Sequence, residues 1–321
     1  MKGVTMNKKI TALICAAAML LVSGCSGQNV SDDSSVQTES SANSVDSVSK
    51  AETTIDKPNN ETIIDSLNNG IIIDEVSGNV YKNEHNANPI SPNIFCADPT
   101  AVEYDGRLYV YGTNDQQQSE EGTKNDYAHI KSLVVFSTDD MVNWIYHGRI
   151  EVGEIAPWIY NSWAPSIVSR VEDDGLTHFY LYFSNSGAGV GVITSTDPVG
   201  PWTDPLGEPL IYQNMPGLEN CPAPFDPGVC IGVGWLSFGG GTPADGNTMH
   251  SKIPKIARLG KDMLSFDSEF VSIDAPYFFE ASELNYIDGV YYYTYCTDWQ
   301  DHKIGWEEYK GVDVPPACSM A

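Results

Sequence analysis

One pattern constrains this chain more than any other feature, because it occurs four times in order. Each copy begins with a polar or aromatic residue, continues as a short apolar strand, turns at Gly or Asp-Gly, and ends in a strand dense in aromatic residues. The copies run over Asp98–Gly112, Trp163–Phe183, Asp226–Gly239 and Glu280–Tyr295. Short strands separated by such turns predict an all-β chain with little helix.

The spacing of the copies favours one all-β architecture. Their first residues are 65, 63 and 54 positions apart, and the intervals contain further strand candidates such as 133–137, 190–195 and 255–259. About four short strands per copy are typical of the blade of a β-propeller. A β-sandwich is the alternative, but a sandwich has no reason to repeat an anchored hairpin. We therefore predict a β-propeller.

A propeller gathers the first residue of every copy in one place. The innermost strands of all blades point the same way along the central axis, so equivalent positions surround one mouth of the channel. We expect Asp98, Trp163, Asp226 and Glu280 at this mouth. Two other interpretations stay open, because Asp-Pro pairs are also typical strand caps and acidic clusters also bind calcium. The acids are dispersed in sequence, however, and form no EF-hand-like loop.

Three carboxyls and one aromatic ring in a pocket suit the cleavage of a glycosidic bond. One carboxyl must be protonated to donate a proton to the leaving oxygen, and another must be ionised to activate water or attack the sugar. A third acid keeps the donor protonated by charge repulsion. The ring of Trp163 suits the apolar face of a sugar.

The four segments resemble glycoside hydrolase family 43, whose members are five-bladed β-propellers with three essential acids. The matching segments, in the family's order and spacing, are Cys96–Pro99, Ser162–Ser166, Phe225–Gly228 and Phe279–Ser282. The resemblance implies Asp98 as general base, Asp226 as the acid that tunes the pKa and orients the donor, and Glu280 as general acid. It also implies an inverting mechanism on arabinofuranosyl or xylosyl groups, as in arabinoxylan. The related family 62 arabinofuranosidases share this plan.

Two aromatic residues are candidates for the substrate pocket. We place Trp163 and Phe225 there, although Phe225 suits the core equally well. A consecutive run of tyrosines, residues 291–293, is expected to pack between blades instead.

The chain departs from the family pattern on its C-terminal side. It reaches Ala321 only 41 residues beyond Glu280, so we expect about three and a half of the five blades. Each blade buries its apolar faces against both neighbours, and we expect this chain by itself to fold poorly and to turn over little substrate. Complete family members often hold a channel cation, such as a structural calcium, near a His from the part without a counterpart here. We therefore assign no cofactor and no metal ligand.

The first 60 residues indicate export and attachment to a membrane. Lys8 and Lys9 precede an apolar stretch, Ile10–Val22, that is shorter than the roughly 20 residues of a membrane span. The small residues before Cys25 resemble a bacterial lipobox, in which this Cys is acylated; an ordinary signal peptide is the alternative. Residues 26–60, rich in Ser, Asp, Thr and Asn, predict a disordered tether. We divide the chain into a lipoprotein signal peptide, 1–25, a tether, 26–60, and a glycosidase propeller, 61–321.

The net charge and the cysteine spacing exclude some classes of binding partner. The 17 Lys and Arg against 43 Asp and Glu give a net charge of −26, which disfavours binding to nucleic acid. Five cysteines remain after Cys25, none with zinc-site spacing, and free thiols are favoured over a Cys221–Cys230 disulfide. We expect a monomer, lipid-anchored on the extracellular face of the bacterial cytoplasmic membrane, with a polysaccharide or oligosaccharide substrate.

Three functions are consistent with these features. The first is hydrolysis of arabinofuranosyl or xylosyl linkages in plant cell-wall hemicellulose. The second is a surface lipoprotein that binds glycans without cutting them, and the third is a purely structural propeller. The three acids favour the hydrolase, because binding alone does not require a protonatable pair.

Overall fold

A computed structural model describes part of the 321-residue chain. The described residues are 71–82, 90–91, 94–117, 127–231, 234–297 and 319–320. The signal peptide 1–25, its Cys25 and the tether 26–60 lie outside the described residues. No helix in the described part is both long and apolar enough to cross a membrane.

The first sheet is the largest. It contains β1 (Ile71–Asp74), β2 (Val80–Lys82), β3 (Ala97–Tyr104), β4 (Arg107–Thr113), β5 (Leu133–Thr138) and β6 (Trp144–Ile150). Strands β3 to β6 form an antiparallel meander, and β1 extends its outer edge by pairing in parallel with β6. The β3–β4 hairpin turns at Asp105-Gly106, where both residues have positive φ, as an Asp-Gly pair favours.

Three further sheets follow after a short helix, α1 (Val152–Ile155). The second contains β7 (Trp163–Val171), β8 (Thr177–Ser184), β9 (Gly189–Ser195) and β10 (Ile211–Tyr212). The third contains β11 (Gly228–Cys230), β12 (Trp235–Phe238), β13 (Lys255–Arg258) and β14 (Val271–Ser272). The fourth contains β15 (Phe278–Ile287), β16 (Val290–Thr297) and β17 (Ser319–Met320). All pairings inside these sheets are antiparallel.

The four sheets are arranged as propeller blades. Strands β3, β7, β11 and β15 each lie at one edge of their sheet, and they contact one another in that order. Apolar side chains fill the space between the blades. One buried cluster joins the first two blades through Tyr111 and Phe179, and another joins the second, third and fourth blades through Tyr182, Phe238 and Phe278. The described residues thus form a partial all-β propeller, which confirms the predicted fold.

Two smaller predictions are tested by burial and by sulfur positions. Cys96, Cys221, Cys230 and Cys296 are free thiols, as predicted; Cys318 lies outside the described residues. Tyr293 of the tyrosine run is buried, whereas Tyr291 and Tyr292 are 39% and 37% exposed, so packing of these two rings between blades stays a prediction. The two exposed rings follow the Asp288-Gly289 turn directly, at the end of the hairpin.

Candidate active site

Each inner strand begins with the same local irregularity. Asp98, Ala164, Asp226 and Ala281 all have positive φ, between 39° and 59°. The strand register shifts at this point in the first, second and fourth blades, which marks a β-bulge. A non-glycine residue with positive φ costs of order 1–3 kcal/mol, and such strain is concentrated at functional sites. The four residues with positive φ therefore define one repeated site near the start of the inner strands.

The bulges correct the predicted equivalence of the four anchors. Asp98 and Asp226 occupy the positive-φ position itself, whereas Trp163 and Glu280 lie one residue before it. The expectation that all four share one repeat position is therefore wrong by one residue for Trp163 and Glu280. The physical reason is that a bulge inserts one extra residue into a strand. The alternation of side chains that is read from the sequence does not show where this residue lies.

Hydroxyl groups on the second strand of one blade hold the positive-φ residue of the next blade. The N–H of Ala164 donates to Thr113 Oγ1 in the first blade at 2.8 Å. The N–H of Asp226 donates to Ser184 Oγ in the second blade, also at 2.8 Å. Thr113 pairs with Ala97 and Ser184 pairs with Trp163, so the two hydroxyls hold equivalent positions. Each blade thereby fixes the bulge of the next one.

The third blade makes the same connection with a carboxylate. The strand register of the third blade makes Gly239 the equivalent of Thr113 and Ser184, but glycine has no side chain to accept a hydrogen bond. Asp226 Oδ2 instead accepts the N–H of Ala281 at 2.9 Å, while its Oδ1 accepts the Ser184 hydroxyl at 3.3 Å. Asp226 therefore holds the backbone directly after Glu280, which positions that carboxyl.

Three acids are electrostatically coupled at this site. Burial raises the pKa of Asp226 well above its usual range, and the negative charges of Glu280 and Asp98 raise it further. Hydrogen bonds from Ala281 and Ser184 oppose this shift only in part. Asp98 keeps an exposed surface at the mouth, yet the protein packed around its carboxyl also raises its pKa. The structure therefore brings the three predicted acids together and favours retention of a proton among them at neutral pH.

A fourth acid lies beside them that sequence reasoning missed. Burial and then the charge of Asp98 raise the pKa of Asp115 to about 6. Asp115 follows the end of β4, whose Thr113 pairs with Ala97, so the antiparallel register brings it back to the bulge. Burial and the charges of both acids raise the pKa of the Cys96 thiol to about 12. The sequence could have indicated Asp115 in one way: it directly follows the end of β4, the strand that pairs with the strand carrying Asp98.

The two predicted pocket aromatics have different surroundings. Trp163 is half-buried, its ring meets Tyr127 edge-on at 6.2 Å, and its indole N–H is buried without an acceptor among the described residues. The surrounding protein shields that N–H from solvent. Phe225 packs on Gly240 so closely that a Cβ there would come within 1.7 Å of the ring. Its observed contact is thus with the backbone of the third blade.

The described residues do not suit a resident metal ion. Within them, no group of three or more His, Cys, Asp or Glu side chains is placed to hold one. The acids at the mouth interact through repulsion and hydrogen bonds rather than as a ligand set. What this arrangement offers is acid–base chemistry by carboxyls in unequal environments.

Comparison with known proteins gives close relatives for most of this chain. The arabinoxylan arabinofuranohydrolase of Bacillus subtilis (strain 168) is 40% identical over 237 residues, which are 68% of this chain and 46% of that protein. The enzyme of the same name from Paenibacillus polymyxa is 40% identical over 229 residues, 66% of this chain and 36% of that protein. This chain therefore spans less than half the length of these two relatives.

Solved structures agree with the sequence relatives. A family 43 arabinoxylan arabinofuranohydrolase from Bacillus subtilis, solved in complex with cellotetraose, aligns with a TM-score of 0.61 at 39% identity, covering 66% of this chain and 47% of that one. An alpha-L-arabinofuranosidase from Clostridium thermocellum aligns with a TM-score of 0.53 at 35% identity, covering 65% and 66%. The family described as Glycosyl hydrolases family 43 matches residues 86–316. With this match over most of its length and with the fold described above, the chain belongs to glycosyl hydrolases family 43.

Proposed function

We propose that the protein hydrolyses O-glycosidic bonds of arabinofuranosyl or xylosyl groups in arabinoxylan or xylan. The observation that carries the proposal is the coupling of Asp98, Asp226 and Glu280 at one mouth of the propeller. Carboxyls with unequal pKa values are what glycosidic cleavage requires. The named activities of the relatives support the substrate class, and arabinofuranosyl groups are favoured because both relatives at 40% identity are arabinofuranohydrolases.

The mechanism follows from the environment of each acid. Glu280 donates a proton to the leaving oxygen, and Asp98, which reaches the open mouth, removes a proton from the attacking water. Water attacks the anomeric carbon on the face opposite the leaving group, so the configuration is inverted. We expect the carboxyls of Asp98 and Glu280 to lie about 6.5–9.5 Å apart, which leaves room for that water.

Asp226 acts through Glu280 rather than on the sugar. Its carboxyl accepts the N–H of Ala281, the residue after Glu280, and the charge of Glu280 raises the pKa of Asp226. Repulsion disfavours ionisation of both carboxyls at once, so the pair retains a proton that Glu280 can deliver to the leaving oxygen. Trp163, which is half-buried, supplies an aromatic face to the sugar.

A substrate panel tests this function. The protein is assayed on chromogenic arabinofuranosides, chromogenic xylosides and wheat arabinoxylan, beside a version extended through a fifth blade from a relative. Release of arabinose or xylose that disappears in Asp98→Asn supports the proposal, with the surface variant Asp288→Asn as the control. Binding of xylo-oligosaccharide without turnover by both folded versions would instead identify a glycan-binding protein.

We also propose that Cys25 carries a lipid that holds the propeller at the outer face of the cytoplasmic membrane. The support lies in the sequence alone, in the apolar segment and the small residues before this Cys. Cys25→Ala is expected to release the protein into the medium, whereas the nearby Ser26→Ala variant stays with the membrane fraction. Membrane retention of Cys25→Ala would contradict the proposal.

A further inference from the structure

A second cavity lies at the far end of the second and third blades. It has a volume of about 310 Å³ and is lined by Arg170, Ile231, Arg258, Leu259, Lys261 and Asp267, among others. Arg170 is near the end of β7, the strand that begins at Trp163. Seven residues of extended strand span about 20 Å. The cavity is therefore a site separate from the coupled acids.

Positive charge is concentrated in this cavity. The whole chain carries a net charge of −26, yet three of the nine Lys and Arg in the described residues line this one place. Arg170 is held rigidly by Glu172, at 2.5 Å, and by the carbonyl of Lys261, and it lies over the ring of Tyr180. Its charge is thus largely balanced by Glu172.

The other two cations are less well balanced. Arg258 is 3.9 Å from Asp267, and both side chains are about half exposed, so this ion pair is weak. Lys261 has no ion pair within the described part of the chain. Asp262, next to it, is engaged instead with the N–H of Leu264 and the hydroxyl of Ser265. The side chains of Arg258 and Lys261 are thus the cationic groups at the cavity that can reorient toward a ligand.

The rest of the lining suits a sugar ring. The volume is near the lower end of ligand cavities, and it exceeds what a simple oxyanion needs. Apolar side chains of Ile231, Leu259 and Met263 form part of the wall beside the cations. We propose that this cavity binds the carboxylate of an acidic sugar, such as a uronic acid carried by a hemicellulose chain. The proposal goes beyond the proposed function, because it does not require the distant acids to be catalytic.

Calorimetric titration with small probes tests this site. D-glucuronate, D-glucose and sodium sulfate are titrated separately into the protein at low salt. We expect glucuronate to bind, sulfate to bind more weakly, and glucose not to bind. We also expect glucuronate binding to weaken as NaCl rises, because ions screen an exposed charge pair. Equal binding of glucose, or equal binding of sulfate, would overturn the assignment to an acidic sugar.

Matched variants locate the binding. Arg258→Gln with Lys261→Gln is expected to weaken glucuronate binding by about tenfold or more, since a charge-assisted hydrogen bond is lost. Lys252→Gln removes one positive charge outside the cavity and is expected to bind as the parent does. Unchanged binding in the double variant would refute the site, and equal weakening in Lys252→Gln would reduce it to a general effect of net charge. Glu280→Gln, altered only at the distant mouth, is expected to bind glucuronate normally.

Discussion

At the scale of single residues, the candidate site depends on backbone strain as much as on side-chain chemistry. Asp98 and Asp226 are held at φ values of 47° and 51°, where an L-residue pays a steric cost. Asp tolerates this region better than most residues, because its short side chain makes local hydrogen bonds. The strained position places each carboxyl at the mouth, and the next blade then uses Asp226 as an anchor.

The roles of the two reacting carboxyls predict different responses to amide substitution. Glu280→Gln should slow arabinoxylan hydrolysis by about 10²–10⁴-fold but should affect activated aryl glycosides far less, because their leaving groups need no proton. Asp98→Asn should abolish activity on both, since an amide does not activate water. Steady-state kinetics on the two substrate types separate these cases. Equal losses for Glu280→Gln on both substrates would contradict its role as the acid.

The acid missed in the sequence predicts a feature of the pH profile. The pKa of Asp115 is raised to about 6 by burial and by Asp98. As pH rises through this value, a second negative charge forms near Asp98 and makes it a stronger base. We therefore expect kcat/KM to rise through a step near pH 6 that Asp115→Asn removes, whereas Asp288→Asn keeps it. A step that persists in Asp115→Asn would assign it to another group.

At the scale of secondary-structure elements, hydroxyl groups connect the inner strands beyond the bulges. Thr100 Oγ1 accepts the N–H of Ile167 at 3.2 Å, and Ser166 Oγ accepts the N–H of Val229 at 3.0 Å. These bonds join the first blade to the second and the second to the third. They satisfy backbone donors that would otherwise be buried without partners.

Removing one of these hydroxyls should destabilise the propeller. Ser166→Ala leaves the N–H of Val229 without its acceptor and should cost about 1–3 kcal/mol in the free energy of unfolding. Ser169→Ala, on the same strand, is the matched control and should stay within about 0.5 kcal/mol of the parent. Urea titration measures both values. A similar cost for the two variants would mean that the inter-blade bond contributes nothing specific.

A half-buried acid in β15 predicts how stability depends on pH. Burial raises the pKa of Glu283 to about 8, so the folded state binds a proton that the unfolded state has released. Stability should therefore fall as pH rises from about 4.5 to about 8. Glu283→Gln should remove this loss and melt at a higher temperature than the parent at pH 8, but not at pH 4.5. The same difference in melting temperature between Glu283→Gln and the parent at both pH values would refute this prediction.

The sequence predicted the hairpin turns correctly, but it did not predict the register shifts or the long-range contacts between strands. Asp105-Gly106, Asp174-Gly175 and Asp288-Gly289 turn as expected, because the glycine of each pair takes positive φ at low cost. The sequence did not reveal the bulges, since a bulge changes register without changing residue types. Glu280 was therefore aligned with Asp98, although Ala281 is the residue equivalent to Asp98. Asp115 was missed because its closeness to Asp98 depends on antiparallel pairing, not on sequence distance. The parallel addition of β1 to β6 likewise depends on a long-range contact that has no local signal.

At the scale of the whole molecule, a propeller is stabilised when its blades close into a ring. The described blades pack in sequence, and the hairpin of the fourth blade exposes Tyr286, Val290, Tyr291 and Tyr292. A propeller normally covers such apolar surface with the next blade. We expect a version extended through a fifth blade from a relative to melt more sharply, at a higher temperature, and to turn over more substrate. Equal melting and equal activity of both versions would contradict this.

We predict that the coupled acids catalyse hydrolysis with inversion, and the anomeric configuration of the first product distinguishes inversion from retention. Proton NMR follows the anomeric signal of arabinose or xylose during the first minutes of hydrolysis, before mutarotation. We expect the product to appear first with the anomeric configuration opposite to that of the substrate. A product that first appears with retained configuration would require a covalent intermediate and closely spaced carboxyls, and would contradict the assigned roles of Asp98 and Glu280.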